Sequence, residues 1–163
     1  MRRDMHSDVG IKRSIPPAAY TNNDATTNGT WVNIRDKASV EACVTFNDTA
    51  DVLAAGLNWE VFVQKAKDDG AGAADAGTVL SLTEGEYLGP ASGLLTPGDG
   101  SGVAFIDAPA EDAKEYRAGL HLSLGAGYEW VRMVLRGNGN HANGSVAYGW
   151  FNIGGQERPV AVP

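Results

Sequence analysis

Cysteine is almost missing from this chain, with Cys43 the only one among 163 residues. A lone thiol forms no intrachain disulfide. Its setting in the apolar run VEACVTF marks it as a small strand residue, not a nucleophile. Basic charge is also scarce: 13 Lys and Arg face 20 Asp and Glu, for a net charge of −7. Phosphate backbones demand a basic footprint, so nucleic acid is not an expected partner. No run approaches the ~18 apolar residues of a membrane span, so no membrane partner is expected. The opening MRRDMHSDVGIKRSIPP carries charges but no apolar stretch of the secretory kind. These absences together describe a chain made and used in a soluble state.

Chemical motifs are equally sparse. The three histidines, His6, His121 and His141, have no second ligand at HxxxH or CxxC spacing, so no metal site is expected. Asp48 and Asp51, then Asp68-Asp69, then Asp107, Glu111 and Asp112 crowd three turns. None follows the DxDxDG register of a calcium loop, and all read as solvated turn residues. There is no G-x-S-x-G elbow for a Ser–His–Asp triad. GAGAADAG lacks the GK[ST] ending of a phosphate loop. Asn28-Gly29-Thr30, Asn47-Asp48-Thr49 and Asn143-Gly144-Ser145 mark turns. The reading therefore names no catalytic, cofactor-binding or metal-binding residue, expects no cofactor, and expects no enzyme.

What the chain does have is two-residue periodicity. In Ser39–Phe46, Val40, Ala42, Val44 and Phe46 fall on one face, the pattern of a half-buried strand. Trp59, Val61 and Val63 repeat it within Asn58–Ala66. Further strands are expected at Trp31–Ile34, Thr78–Leu82, Val103–Ile106, Tyr116–Leu124, Tyr128–Arg136 and Ser145–Ile153. Tyr116–Leu124 and Tyr128–Arg136, joined by Gly125-Ala126-Gly127, read as a hairpin. Both faces of the second are apolar, as in a central strand covered on each side. Trp31, Trp59, Trp130 and Trp150 all lie in strands, so most read as core; a sugar platform would need two of them on a solvent face. Tyr87–Gly102, rich in Gly and Pro, is the longest irregular segment expected, of a kind that often contacts something. The fold class is all-β: one β-sandwich or jelly-roll-like domain of about eight strands.

The amino end reads differently. Residues 1–13 hold Arg2, Arg3, Lys12 and Arg13 against Asp4 and Asp8, a local +2 that leaves −9 for the rest. Pro16-Pro17 interrupts any ladder there. Residues 1–25 are thus expected to form an extended arm before a β domain at residues 26–163. A basic arm on an acidic body suits an acidic partner surface.

The segments IPPA (Ile15–Ala18) and TTNGTWVNI (Thr26–Ile34) resemble the opening of small structural proteins of tailed bacteriophages and related gene-transfer particles. Asn33 and Ile34 stand where that pattern has Asp and Leu. VFVQKAKDDG (Val61–Gly70) resembles their F-x-L-E-E-S-D-D-G strand and turn, with Lys65 and Lys67 as departures. Tyr128–Leu135 followed by Gly144–Pro159 is similar to their closing strands, and Leu82–Gly102 reads as an insertion. The resemblance implies a virion protein synthesised in the host cytoplasm, of the capsid decoration or cement type, on the head surface. Its implied partners are the major capsid protein and further copies of itself, as a homotrimer. A neck or tail component is the alternative within assembly, and a carbohydrate-binding sandwich the alternative outside it. The partner-binding residues expected are Arg2, Arg3, Ile11, Lys12, Arg13, Ile15, Pro16, Pro17 and Tyr20.

Taken alone, the sequence predicts that deleting Met1–Pro17 leaves the β body folded and lowers capsid attachment. Particle occupancy unchanged by the deletion would refute it.

Overall fold

A computed structural model of the chain describes residues 9–21, 23–47, 51–90, 102–108 and 114–156. Eleven strands lie within them: β1 (Val9–Tyr20), β2 (Ala25–Asn28), β3 (Val32–Asn33), β4 (Lys37–Phe46), β5 (Asn58–Lys67), β6 (Leu80–Ser81), β7 (Tyr87–Pro90), β8 (Ala104–Ile106), β9 (Glu115–Leu120), β10 (Tyr128–Asn138) and β11 (Ser145–Gln156). The only helical pieces among the described residues are two short 3-10 turns.

Alternation decides the layering. Val40, Ala42, Val44 and Phe46 of β4, Ala147, Phe151 and Ile153 of β11, and Tyr116, Ala118 and Leu120 of β9 form one inner face. Trp59, Val61 and Val63 of β5 with Val131, Met133 and Leu135 of β10 form the other. Each large apolar side chain removed from water contributes about 1.5–3 kcal/mol. Sheet A runs β1-β11-β4-β9-β7 and sheet B is built on β2-β10-β5-β6, all pairs antiparallel. Short strands share the long ones' edges: β2 and β3 both pair with β10, and β6 and β8 both pair with β5. The architecture is a β-sandwich, as periodicity led one to expect.

The expected hairpin is absent. β9 pairs with β4 and β7 in sheet A, whereas β10 pairs with β5 in sheet B. The segment between them carries the chain across the core. Leu124 is buried there, and Lys65 Nζ donates to its carbonyl at 2.8 Å. β10 is central, as read, and its outer face is covered by long side chains. Arg132 lies against Gln64 and Arg136 against Glu60, each pair directly opposite in register. Tyr87–Pro90, inside the segment read as irregular, is an edge strand on β9; residues 91–101 lie outside the description.

The amino-terminal arm is also corrected where it is described. Val9–Tyr20 is no free arm but the edge strand of sheet A, paired along β11. The ladder skips Pro16 and Pro17, passing from Ile15↔Gly149 to Ala18↔Ala147. Prolines are tolerated there because an edge strand can bulge outward. The Tyr20 hydroxyl closes the bulge, donating to Pro16 O at 2.7 Å. Ile15 is fully buried in the core.

Ser14 joins the two sheets. Its Oγ donates to Thr30 O at 3.0 Å and accepts the Met133 N–H of β10 at 2.9 Å. Thr30 N returns a bond to Ser14 O, and Gly29 N donates to Met133 O, both at 2.8 Å. The strand partners of β10 change here from β2 to β3, and Ser14 fills the gap. A Cβ on Gly29 would stand 2.4 Å from Ser14 Oγ and 2.8 Å from Met133 O, so only glycine fits.

Ser14→Ala leaves the buried Met133 N–H without its acceptor and is expected to cost about 1–3 kcal/mol in urea unfolding. Arg13→Ala beside it, on an exposed side chain, serves as a near-neutral control. Equal effects of the two would refute the bridging role. Deletion through Pro17 is now expected to destabilise the domain, since it removes Ser14 and Ile15 together.

Candidate functional site

The outer face of sheet A gathers several of the expected partner-binding residues. On β11 it shows Val146, Tyr148, Trp150 and Asn152. Ile11 and Arg13 of β1 lie opposite Asn152 and Trp150, while Glu41, Cys43 and Thr45 of β4 flank the other side. Ile11 is 65 % exposed and Val146 43 %. The Tyr148 and Trp150 rings stack with centroids 5.0 Å apart at 21°. Side chains two apart on a strand start about 6.6 Å apart, so the two rings lean together. Trp150 Nε1 donates to Asn152 Oδ1 at 3.2 Å, and Asn152 Nδ2 to Glu41 Oε2 at 2.9 Å. An aromatic pair with a charged rim is the composition of a protein-binding patch.

The structure sorts the named residues. Lys12, Arg13, Pro16 and Pro17 are exposed along the β1 edge with Ile11, and Tyr20 is half-buried. Ile15 is not available to a partner, because its side chain points into the core. Arg2 and Arg3 lie outside the described residues, as do Asp48, Glu111 and Asp112. Trp150 lies on the outer face and not in the core; period two gives a face but not which face meets the other sheet. Of the four tryptophans only Trp59 is fully buried. Trp31 and Trp130 belong to the outer face of sheet B without forming a bare platform. The Arg132 guanidinium lies 4.5 Å over the Trp31 ring, and Trp130 Nε1 donates to Asp68 Oδ2 at 3.0 Å.

A second cluster closes one end of the sandwich. His141 is fully buried and stacked on Trp59, centroids 4.0 Å apart. Its Nε2 lies 3.1 Å from Asn58 O, and its Nδ1 is 3.6 Å from Asp51 Oδ2. Asp51, read as a solvated turn residue, is buried; its carboxylate accepts from Asn143 N, Asn143 Nδ2 and Gly144 N. Burial alone would raise the Asp51 carboxyl, but those donors and the nearby His141 outweigh it and hold the group below the usual carboxylate range. Asn23 Oδ1 and Asp24 Oδ1 accept from His141 N and Gly139 N, pinning the β10–β11 crossover. This cluster exposes no reactive atom: its chemistry is that of a brace.

The remaining candidates are structural in the same way. Cys43 is buried, and burial followed by the Glu41 carboxylate pushes its thiol up to about 12, which keeps it protonated. In the glycine-rich loop, Asp68 accepts from Gly70 N, Asp69 from Ala71 N and Ala73 N, and Asp75 from Gly77 N. Those are the amides a phosphate would need. Among the described residues no group of three or more His, Cys, Asp or Glu is arranged to hold a metal. No helix among them is long and apolar enough to cross a membrane. No known protein family, curated protein or solved structure matches the chain.

Glu86 behaves like Asp51. Burial raises it, while Lys65 and Thr83 outweigh burial and lower it. Groups held below their unfolded values near 4 stabilise fully above that pH, and the contribution is lost as pH falls through the folded values. Asp51→Asn is therefore expected to lower stability at pH 7 and to flatten the acid limb of the stability curve below about pH 4. An acid limb as steep as that of the unsubstituted chain would refute the assignment.

Proposed function

We propose that this protein is a virion structural component, a decoration or cement protein seated on the major capsid protein of a tailed-phage head. The observation that carries the reading is the outer face of sheet A, where stacked Tyr148 and Trp150 lie beside exposed Ile11 and Val146. Charge supports the choice of occupant: Lys12 and Arg13 line this edge of a chain whose net charge is −7, which suits an acidic capsid surface. The sequence resemblance to small phage structural proteins points the same way. Many equivalent sites on a shell turn a modest interface into durable attachment. Copies trimerising around local threefold positions would multiply it further.

Tyr148 and Trp150 each cover one ring face of the other, and the pair has exposed aliphatic Ile11 and Val146 around it, a mixture suited to protein contact.

Ile11→Asp with Val146→Asp puts charge into the patch without touching the core. The double variant is expected to keep its melting temperature within a few degrees and to cosediment with empty heads about tenfold less. Undiminished cosedimentation would remove this face from the proposal. Counting copies per particle tests the role itself: hundreds fit a cement protein, whereas a handful would exclude it in favour of the neck.

A further inference from the structure

We infer that the opposite face of the sandwich, the outer surface of sheet B around Arg132 and Trp31, is a second docking site, built for the carboxylate of an acidic protein segment. Arg35, Arg117 and Arg136 each pair with a glutamate: Glu129, Glu115 and Glu60. Arg132 has no such partner among the described residues. Its Nε and Nη2 both donate to Gln64 Oε1, at 2.9 and 2.7 Å, and its guanidinium lies on the Trp31 ring. Nη1 donates to no protein group there and is not sealed from solvent.

Three physical facts combine at this position. The group is rigid, because an amide oxygen and an aromatic face fix the fork before any ligand arrives. It is half-buried, and burial alone pushes it down from its ordinary range, with no acidic neighbour offsetting the loss of water. It lies on a sheet surface that also holds half-buried Trp130. A preorganised, partly desolvated cation flanked by tryptophan is the kind of centre on which interface energy concentrates. A carboxylate on Nη1 supplies the missing countercharge through a charge-assisted bond. Phosphate would fit the same fork, but a nucleic-acid backbone sets a charge at every nucleotide against the net charge of −7, whereas a protein segment can bring one carboxylate to Arg132 with fewer charges around it. The inference stands whether or not the protein decorates a capsid.

The Nε–H bond to Gln64 should slow solvent exchange enough for the Arg132 side-chain resonance to be followed by NMR on the full chain. The probe is a short blocked peptide of alternating glutamate and glycine. Its glutamine counterpart and an oligothymidylate serve as controls. Expected is a saturable shift of the Arg132 and Trp31 side-chain signals with the glutamate peptide by about 10 mM, weakened by salt. Arg132→Gln is expected to weaken peptide binding about tenfold or more, and Arg132→Lys to restore it only in part. The unsubstituted chain alone decides the matter if either variant folds poorly. Equal shifts with the glutamine peptide, or none, would overturn the site. A stronger response to the oligothymidylate would assign it to nucleic acid instead. Arg132 shifts that follow protein concentration without peptide would make a second copy the occupant and end the case for a foreign segment.

Discussion

The Ser14 hydroxyl sets the spacing of the whole sandwich at its β1 edge. It lies in β1 of sheet A, at the irregularity where the ladder passes from Arg13 to Ile15, and reaches sheet B by its bonds to Met133 and Thr30. Two sheets held only by apolar contact can slide, because the hydrophobic effect is non-directional. A buried hydroxyl with both partners fixed removes that freedom, since leaving the Met133 amide unpaired costs more than the bond itself contributes. The glycines around it follow from the same closeness. Gly29 has no room for a Cβ, and at Gly149 a Cβ would stand 2.9 Å from Met133 Sδ. The absence of a side chain at 149 also leaves the sequence Tyr-Gly-Trp with a light inner position between two heavy outer ones. The aromatic stack on sheet A and the tight corner beneath it therefore share one short run of β11.

Polar side chains hold both ends of the sandwich core. At one end Lys65 is nearly enclosed, pairs with Glu86, donates to Leu124 O and lies 4.7 Å over the Tyr128 ring. At the other, Asp51 and His141 pin the β10–β11 crossover. Loops that cross between sheets cannot use ladder bonds, so buried side chains satisfy their amides instead. This is why a chain without disulfides can have long connections at both ends.

Periodicity made the layers legible in the sequence, because β4, β5, β10 and β11 each alternate over many residues. It does not tell which face meets solvent, so the expectation that most tryptophans are core holds for Trp59 and not for Trp31, Trp130 and Trp150. β1 was hidden by Pro16-Pro17, whose bulge is possible only at an edge, and an edge is a tertiary property. β2 is polar on both faces and carries no alternation to read. The Gly125-Ala126-Gly127 link looked like a hairpin turn because turn residues do not record whether the next strand returns beside the last or crosses the core. Asp51 and His141 are far apart in the chain, and nothing local announces their meeting. On the outer face of sheet A, Lys12 and Arg13 are legible as charge, whereas Arg132 becomes distinctive only beside Arg35, Arg117 and Arg136, each of which pairs with a glutamate.

β1 and β11, the first and last described strands, are hydrogen-bonded neighbours. A ribosome delivers the amino end first and the carboxyl end last. The outer face that holds Ile11 beside Trp150 therefore cannot assemble before β11 has been made; until then Ile15 lacks the β11 part of its core. Formation of this face thus waits on the synthesis of β11.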